Sequence, residues 1–576
     1  MTREAPQQRV ASIAAGDRVI AMAGALRARV LRASPVWRAL LAFAAGAISV
    51  LALAPFFLWP VLFLTLPLLV WLIDAAGDER LEDAAERSRS RVLRRAGLAG
   101  WLFGFGYFVL GLFWVGEAFL VEAEKFAWLL PFAVTLLPAG LALFFAAAAA
   151  VARRFWGGGL ARVVMLAVAL YAAEWLRGHV LTGLPWNVLG YALTPPGMLM
   201  QGASLIGIYG LTLVAVIASA APLVVLADEA GSTSPMRLRR AMGGALLSLA
   251  IVGGLAGYGA WRLAGATEAI VPGVRLRIVQ PSVPQREKWQ QAKQREIFDL
   301  HLDLSRRDPT GRIDDLAGIT HVIWPEAAMP FLPLDSPDAL GEIGAMLPDG
   351  AFLITGALRA ERPVNDSVLH GAAAAVRPAI YNSLIVLNGS GGLHAVYDKI
   401  HLVPFGEYLP MQGLLEAIGL QQLTRLRGGF AAGRSPRPLL DVPGLPPLLG
   451  LVCYEAIFPG AVVQGADRPA LIVNVTNDGW FGRTTGPQQH FHAARVRAVE
   501  EGVPLVRAAN NGVSALIDAY GHVRGRLDMD MRGTADALLP VAIHAPPYAR
   551  FGDAASFLLS ISVLVALFVL RQSRRS

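Results

Sequence analysis

Pro447-Leu-Leu-Gly-Leu-Val-Cys453-Tyr-Glu-Ala-Ile-Phe-Pro459 contains the single cysteine of a chain of 576 residues. Its first half, Pro447 to Val452, is an unbroken apolar run of strand length and reads as a buried strand. The chain then turns at Tyr454-Glu455. A thiol at the end of a strand, beside a carboxylate, is where a nucleophile is placed. The plainer reading is a small buried hydrophobe, since free Cys is among the most buried residue types and reactivity needs an unusual microenvironment. The residues around the run decide between the two.

Working outward, residues 268–550 carry further short β-rich runs at Val274–Val279, Ile319–Trp324, Phe352–Thr355, Ser383–Leu387 and Ala470–Val475. Helical patterns at Glu287–Asp303 and His490–Glu501 lie between them. Strands alternating with helices predict an α/β layered domain. No short-period repeat is present.

Outside this domain the chain is of another kind. Hydrophobic residues make up 55% of the whole and charged residues 16%. That balance is too apolar for an ordinary soluble protein. Seven apolar segments precede the polar domain: Trp37–Ala54, Phe56–Ile73, Ala96–Val121, Ala127–Val151, Leu160–Leu176, Ala203–Ala227 and Ala241–Leu263. One follows it, Ala554–Leu570. Each is near the roughly 20 residues that a helix needs to cross the hydrocarbon core.

Arginines gather in alternate loops: Arg38 at the first span, then Arg80, Arg87, Arg89, Arg91, Arg94 and Arg95, then Arg153 and Arg154, then Arg237, Arg239 and Arg240. The tail carries Arg571, Arg574 and Arg575. The intervening loops are poor in Lys and Arg. The positive-inside rule then places both termini in the cytoplasm and the polar domain on the far side. Residues 1–36 read as a basic cytoplasmic extension and 571–576 as a cytoplasmic tail. The net charge of +8 sits largely in these short loops, so it does not point to nucleic acid. A lone Cys excludes an internal disulfide framework.

Three strand ends in the polar domain look alike. Ile323-Trp-Pro-Glu326 places Glu326 just past one strand, Tyr397-Asp-Lys399 through Gly-Glu407 offers Lys399 and Glu407, and Val452-Cys453 offers the thiol. In open α/β sheets reactive groups collect at the carboxyl ends of strands. A Glu, a Lys and a Cys meeting there make an acyl-transfer site: the carboxylate takes the thiol proton, and the ammonium stabilises the thiolate and a tetrahedral oxyanion. Singly, each has an ordinary reading, Glu326 as a turn residue and Lys399 as a surface cation. Their joint occurrence is what is unusual.

Taken together, Trp324-Pro-Glu326, Lys399-Ile-His-Leu-Val-Pro-Phe-Gly-Glu407, Cys453-Tyr-Glu455 and Asn477-Asp-Gly-Trp-Phe-Gly482 resemble the apolipoprotein N-acyltransferase family, membrane members of the nitrilase (carbon–nitrogen hydrolase) superfamily. Glu174-Trp-Leu-Arg-Gly178 and Gly183-Leu-Pro-Trp-Asn187 fit the same family. The resemblance covers about Trp37 to Leu570. It implies eight transmembrane helices, seven within 37–263 and the last at 554–570, plus a nitrilase-like αββα sandwich at 268–550.

The resemblance also implies roles. Glu326 is the proton acceptor, Lys399 the oxyanion stabiliser, Cys453 the nucleophile and Glu407 a supporting carboxylate. Tyr454 and Glu455 flank the nucleophile, with the Tyr454 N–H as an oxyanion donor. Trp289 and Trp480 match aromatic positions for substrate handling; core or interfacial packing is their plainer reading. The implied reaction is ping-pong, from a phospholipid donor through a Cys453 thioester to the α-amine of a diacylated apolipoprotein. It uses the bilayer as a partner and neither cofactor nor metal. Residues 402–430 suggest a lid or an amphipathic packing helix. The loop from Gly178 to Gly202, with Pro185, Trp186, Asn187 and Tyr191, suggests a floor to the site or an aromatic belt. Glu174 and Arg177 are spaced to pair across one helical turn.

Other readings fit less of the chain. His490-Phe-His492 has no nearby Cys, Asp or Glu to complete a metal set. A Cys–His pair of Cys453 with His401 or His490 leaves Glu326 and Lys399 unexplained. A transporter would carry more ionisable residues within its spans. A membrane-anchored nitrilase-type amidase shares the triad and differs only in the substrate.

Overall fold

The computed structural model describes residues 4–77, 89–232, 236–362, 378–417, 429–464 and 467–572. The expected loop arginines Arg80 and Arg87, the tail residues Arg574 and Arg575, and residues 418–428 of the 402–430 segment lie outside the described residues. The chain divides into two compact units. One comprises Met1–Phe113, Pro131–Gly265 and Pro547–Ser576, the other Trp114–Leu130 and Ala266–Pro546.

The first unit is helical. Three of its apolar stretches, Pro35–Ala52, Leu199–Gly231 and Arg237–Ala264, are long and apolar enough to cross a bilayer by length and composition, as is Ala123–Arg154, whose residues up to Leu130 group with the second unit. The pair Arg89–Gly111 with Phe113–Leu120, bent by 56°, counts as a fifth if taken as one span, and Trp59–Ala75 and Ala554–Val569 are shorter apolar helices. Small residues let neighbouring backbones approach, as lipid-embedded helices require. A Cβ on Gly46 would stand 1.8 Å from the Phe103 carbonyl oxygen, and one on Gly106 would stand 2.1 Å from that of Phe43.

The basic N-terminal extension forms a helix, Glu4–Arg32. Arg27 pairs with Asp74 at 3.3 Å and with Asp228 at 3.2 Å, and Arg162 joins Asp74 at 3.1 Å. Glu174 and Arg177 do pair, with Arg177 Nε donating to Glu174 Oε2 at 3.2 Å. Arg177 also donates to the Trp186 carbonyl at 2.9 Å, and the Leu189 N–H donates to Glu174 at 3.3 Å. This pair thus holds down the loop that follows. Trp186 and Tyr191 are buried there.

The second unit holds twelve strands: β1 Ile270–Gln280, β2 His321–Ile323, β3 Phe352–Glu361, β4 Ala379–Asn388, β5 Leu393–Asp398, β6 Leu439–Leu440, β7 Leu448–Val452, β8 Leu471–Thr476, β9 Leu505–Ala509, β10 Ser514–Ile517, β11 Val523–Leu527 and β12 Gly533–Pro540. They form two six-stranded sheets, ordered β12-β1-β2-β3-β4-β5 and β11-β10-β9-β8-β7-β6. Parallel pairs occupy the middle, β1-β2-β3 and β7-β8-β9, and antiparallel strands close the edges.

Side-chain alternation builds the layers. Val274, Leu276 and Ile278 of β1 meet Leu471, Val473 and Val475 of β8 in a core between the sheets. Val279 and Val322 face outward onto Phe298, Leu302 and Ile343 of the helices Gln294–Ser305 and Pro337–Met346. On the other side, Leu449, Leu451 and Ile472 pack on Phe491, Ala494 and Ala498 of the helix Gly486–Glu501.

Two local expectations change. The helix expected at Glu287–Asp303 begins only at Gln294. The Glu287 and Lys288 N–H groups both donate to the Pro284 carbonyl, at 3.0 and 3.2 Å, and close a turn that carries Lys288 and Trp289. Trp114–Leu130, expected as the end of a span and its loop, groups with the second unit. Trp114 Nε1 donates to Gln489 Oε1 at 3.2 Å, and its ring meets Phe481 at 4.6 Å.

Candidate active site at the strand ends

Cys453 follows β7 directly and opens a short 3-10 turn, Cys453–Ile457. Its backbone sits in the left-handed region, φ 51°, a conformation that costs energy for a residue with a Cβ and recurs at functional sites. Contacts from outside the turn hold it. The His490 Nε2–H donates to the Cys453 carbonyl at 3.1 Å. His490 Nδ1 faces Asp478 at 2.9 Å, and Arg507 reaches the same carboxylate at 2.8 Å. Burial opposes the charge of Asp478, but Arg507 and His490 outweigh it and keep the carboxyl down at about 2.

Glu326 lies past the end of β2, on a turn pressed against β3. A Cβ on Gly356 would stand 2.4 Å from Glu326 Cα, so only glycine fits beneath it. Its side chain joins a buried polar cluster. Asn382 Nδ2 donates to Glu326 Oε1 at 2.7 Å and to Glu407 Oε1 at 3.0 Å, bridging the two carboxylates. Lys399 Nζ meets Glu407 at 2.8 Å, and the Val403 N–H also donates to Glu407 at 2.8 Å. Lys399 is itself fixed by its N–H bond to the Asn382 carbonyl at 2.9 Å.

The charges of this cluster act on the thiol. Burial, then the Glu326 charge, push the Cys453 thiol well above its ordinary range, against the pull of Lys399. Burial also raises Glu326, with Glu407 adding to it and Lys399 opposing. Burial disfavours the Lys399 ammonium, but Glu407 and Glu326 prevail and hold it above the usual range. The resting arrangement is therefore a neutral thiol near a basic carboxylate and a firmly charged ammonium. That set can move a proton from sulfur to carboxylate as an electrophile arrives.

Glu455 is engaged differently. Oε1 accepts from Tyr397 Oη at 2.6 Å, Arg437 Nη2 at 2.9 Å and the N–H groups of Ile400 and His401 at 3.1 and 3.2 Å. Oε2 accepts from the Val452 N–H at 2.8 Å. One carboxylate thus ties the chain after Lys399 to the turn that holds Cys453. Arg437 and Tyr397 outweigh burial and hold its carboxyl below the usual carboxylate range.

Residues 45–221 match the family described as Apolipoprotein N-acyltransferase N-terminal domain, and residues 275–543 match Carbon-nitrogen hydrolase. The apolipoprotein N-acyltransferase of Rhodopseudomonas palustris is 45% identical over 536 residues, 92% of this chain and 94% of its own length. That of Bradyrhizobium diazoefficiens is 47% identical over 538 residues, covering 93% and 95%. The chain belongs to the apolipoprotein N-acyltransferase family.

Within the hydrolase match of this family member stand Glu326, Lys399, Glu407 and Cys453. The remaining expected residues spread around them. Tyr454 is buried, its ring edge-on to Phe458 at 4.9 Å. Trp480 is half-buried, whereas Trp289 is 45% exposed. In the described part of 402–430, Phe405, Met411 and Leu414 present exposed apolar side chains around the short helix Gln412–Ala417. Sequence reasoning missed Asn382, Arg437, Tyr397 and Lys288. A polar pair, Asn382-Ser383, interrupting the apolar run of β4 was the one available signal.

Proposed function

We propose that this protein is an apolipoprotein N-acyltransferase that moves an acyl chain from a phospholipid to the α-amine of a diacylglyceryl-modified N-terminal cysteine. The observation that carries the mechanism is the Asn382-bridged cluster of Glu326, Glu407 and Lys399, whose charges bear on the only thiol of the chain. Its curated relatives bear the name of that activity over more than nine-tenths of this chain.

In the first half-reaction Glu326 takes the Sγ proton and Cys453 attacks the ester carbonyl. Lys399 and the Tyr454 N–H receive the developing oxyanion. The C–O bond breaks, Glu326 returns the proton to the departing lysophospholipid oxygen, and a thioester remains. In the second, the acceptor amine attacks the thioester and loses a proton to Glu326. The C–S bond breaks, and that proton returns to sulfur. Glu407 holds Lys399 in place and Glu455 holds the nucleophile turn. Trp289 and Trp480 line the approach of the substrates.

Eight crossings in the inner membrane, with both termini cytoplasmic, put the hydrolase domain on the extracytoplasmic face, where both substrates are anchored lipids. Acyl chains then never enter water, which would cost about 0.8 kcal/mol per CH₂.

The decisive test is mass spectrometry of the intact protein after incubation with phospholipid. One acyl mass is expected, removable by hydroxylamine and absent from Cys453→Ala. An adduct that survives in Cys453→Ala, or none in the parent chain, overturns the assignment. Transfer to a soluble amide substrate rather than a diacylated lipopeptide would favour an amidase.

A further inference from the structure

Lys288 is a buried cation that the acyl-transfer reading leaves unused. It is 2% exposed, and its Nζ donates to the backbone carbonyl of Glu326 at 2.9 Å. Among the described residues this carbonyl is its one hydrogen-bond acceptor, and no carboxylate bonds it. A buried ammonium without a carboxylate partner is costly, so packing alone does not account for it.

Its placement is firm. The turn Pro284–Lys288 closes on itself. Asn510, just past β9, grips the chain upstream, accepting from the Val283 N–H at 3.1 Å and donating to the Val283 carbonyl at 2.8 Å.

Three elements present titratable groups to Lys288. Glu326 comes from the first sheet, Cys453 from the end of β7, and His301 from the helix Gln294–Ser305. His301 is kept neutral, lowered to about 4 by burial and by the Lys288 charge. Beyond Glu326 lie Lys399 and Glu407. Asp478 also faces Cys453 but is offset by its ion pair with Arg507, so the remaining charges balance two carboxylates, Glu326 and Glu407, against two ammoniums, Lys399 and Lys288. Without Lys288 the thiol would ionise beside a net negative charge.

We propose that Lys288 is a positioning residue of the acyl-transfer site, anchoring the Glu326 turn through its carbonyl and supplying the second positive charge that makes Cys453 ionisable beside two carboxylates. This rests on Cys453 being the nucleophile. The two cations divide the work. Glu407 keeps Lys399 charged throughout. Burial lowers Lys288 to about 8 against the attraction of Glu326 and Cys453, so its support fades in mild alkali.

The test uses the full-length protein in detergent and iodoacetamide, a neutral probe that needs no lipid substrate. Because Cys453 is the sole cysteine, intact mass reads its alkylation rate across pH 5–10. Lys288→Met is expected to slow alkylation about tenfold near pH 7, the equivalent of about one pH unit, and the difference is expected to close above about pH 8 as the parent's Lys288 loses its proton. Lys288→Arg is expected to restore the rate and to remove any inflection near pH 8. A Lys288→Met profile superimposable on the parent's overturns the proposal, as does a slowing equal at every pH, which is the mark of a purely structural role. If Lys288→Met does not fold, the Lys288→Arg profile decides: an inflection near pH 8 that persists in it overturns the proposal. Failure of the acyl-adduct experiment with alkylation still dependent on Lys288 would refute the lipid chemistry and leave this inference standing.

Discussion

Glu326 and Glu455 are both buried carboxylates whose environments bear on Cys453, and their surroundings drive them in opposite directions. Among the described residues the Glu326 carboxylate has one side-chain donor, Asn382, and shares it with a second carboxylate. Glu455 accepts five hydrogen bonds, from Arg437, Tyr397 and three backbone N–H groups. Burial therefore raises Glu326, while the donors around Glu455 overcome the same burial and lower it. A buried carboxylate with a full set of donors is a fixed clamp. One left short of them retains affinity for a proton and can act as a base.

The largest effect should separate the two by what they lose. Glu326→Gln is expected to cut the rate of Cys453 acylation by about 10²–10⁴, the range for a general base, with an unchanged thermal midpoint. Parent-like acylation in that variant would break the contrast. Glu455→Ala is expected to act on stability instead. It leaves the Arg437 charge buried without its carboxylate, at about 3–5 kcal/mol, read as a lower midpoint in denaturant. A Glu455→Ala protein as stable as its parent would remove the clamp from the account.

Tyr397→Phe probes the clamp more gently. It deletes the 2.6 Å bond to Glu455 and the acceptor of Arg437 Nε at 2.9 Å. A loss of about 1.5–3 kcal/mol is expected, as for hydrogen bonds to charged groups, with the acylation pH profile unmoved.

The smallest effect is a separation in pH. Glu326 must be ionised to accept a proton and its folded value is raised, so activity should fade as pH drops through a value above the ordinary carboxylate range. Glu455 has a lowered folded value, so its stabilisation is complete above its unfolded value and is lost only as pH falls through the lower folded one. Acid should therefore silence acylation reversibly before it weakens the clamp. Circular dichroism and acyl-adduct formation measured on the same samples check this. Coincident loss of fold and activity would show that the two carboxylates are not independent.

Glu326 and Cys453 were legible because each follows an apolar run and stands where the chain turns. Lys399 follows β5, whose run mixes in His394 and Asp398, and was legible only through its joint occurrence with the other two. Asn382 and Arg437 were not legible. Asn382 reaches a carboxylate 56 residues away, and Arg437 one that is 18 residues away across a turn. Lys288 was hidden within a helical pattern, whereas the helix begins only at Gln294 and Lys288 stands on the turn before it. Half of the strands also escaped notice. Some are two to five residues long, and β11, Val523-Arg-Gly-Arg-Leu527, mixes charge into its run.

By itself, the sequence determined an apolar helical part, an α/β part built on alternating strands, and the chemistry offered at three strand ends. Those follow from hydrophobic periodicity and residue type, which act within a few positions. Tertiary structure alone decided which buried carboxylate is fully bonded by donors and which is left short of them, and that a second lysine stands beside Glu326. Acidity depends on how many donors converge on a buried oxygen, and those donors arrive from strands and loops far apart in the chain.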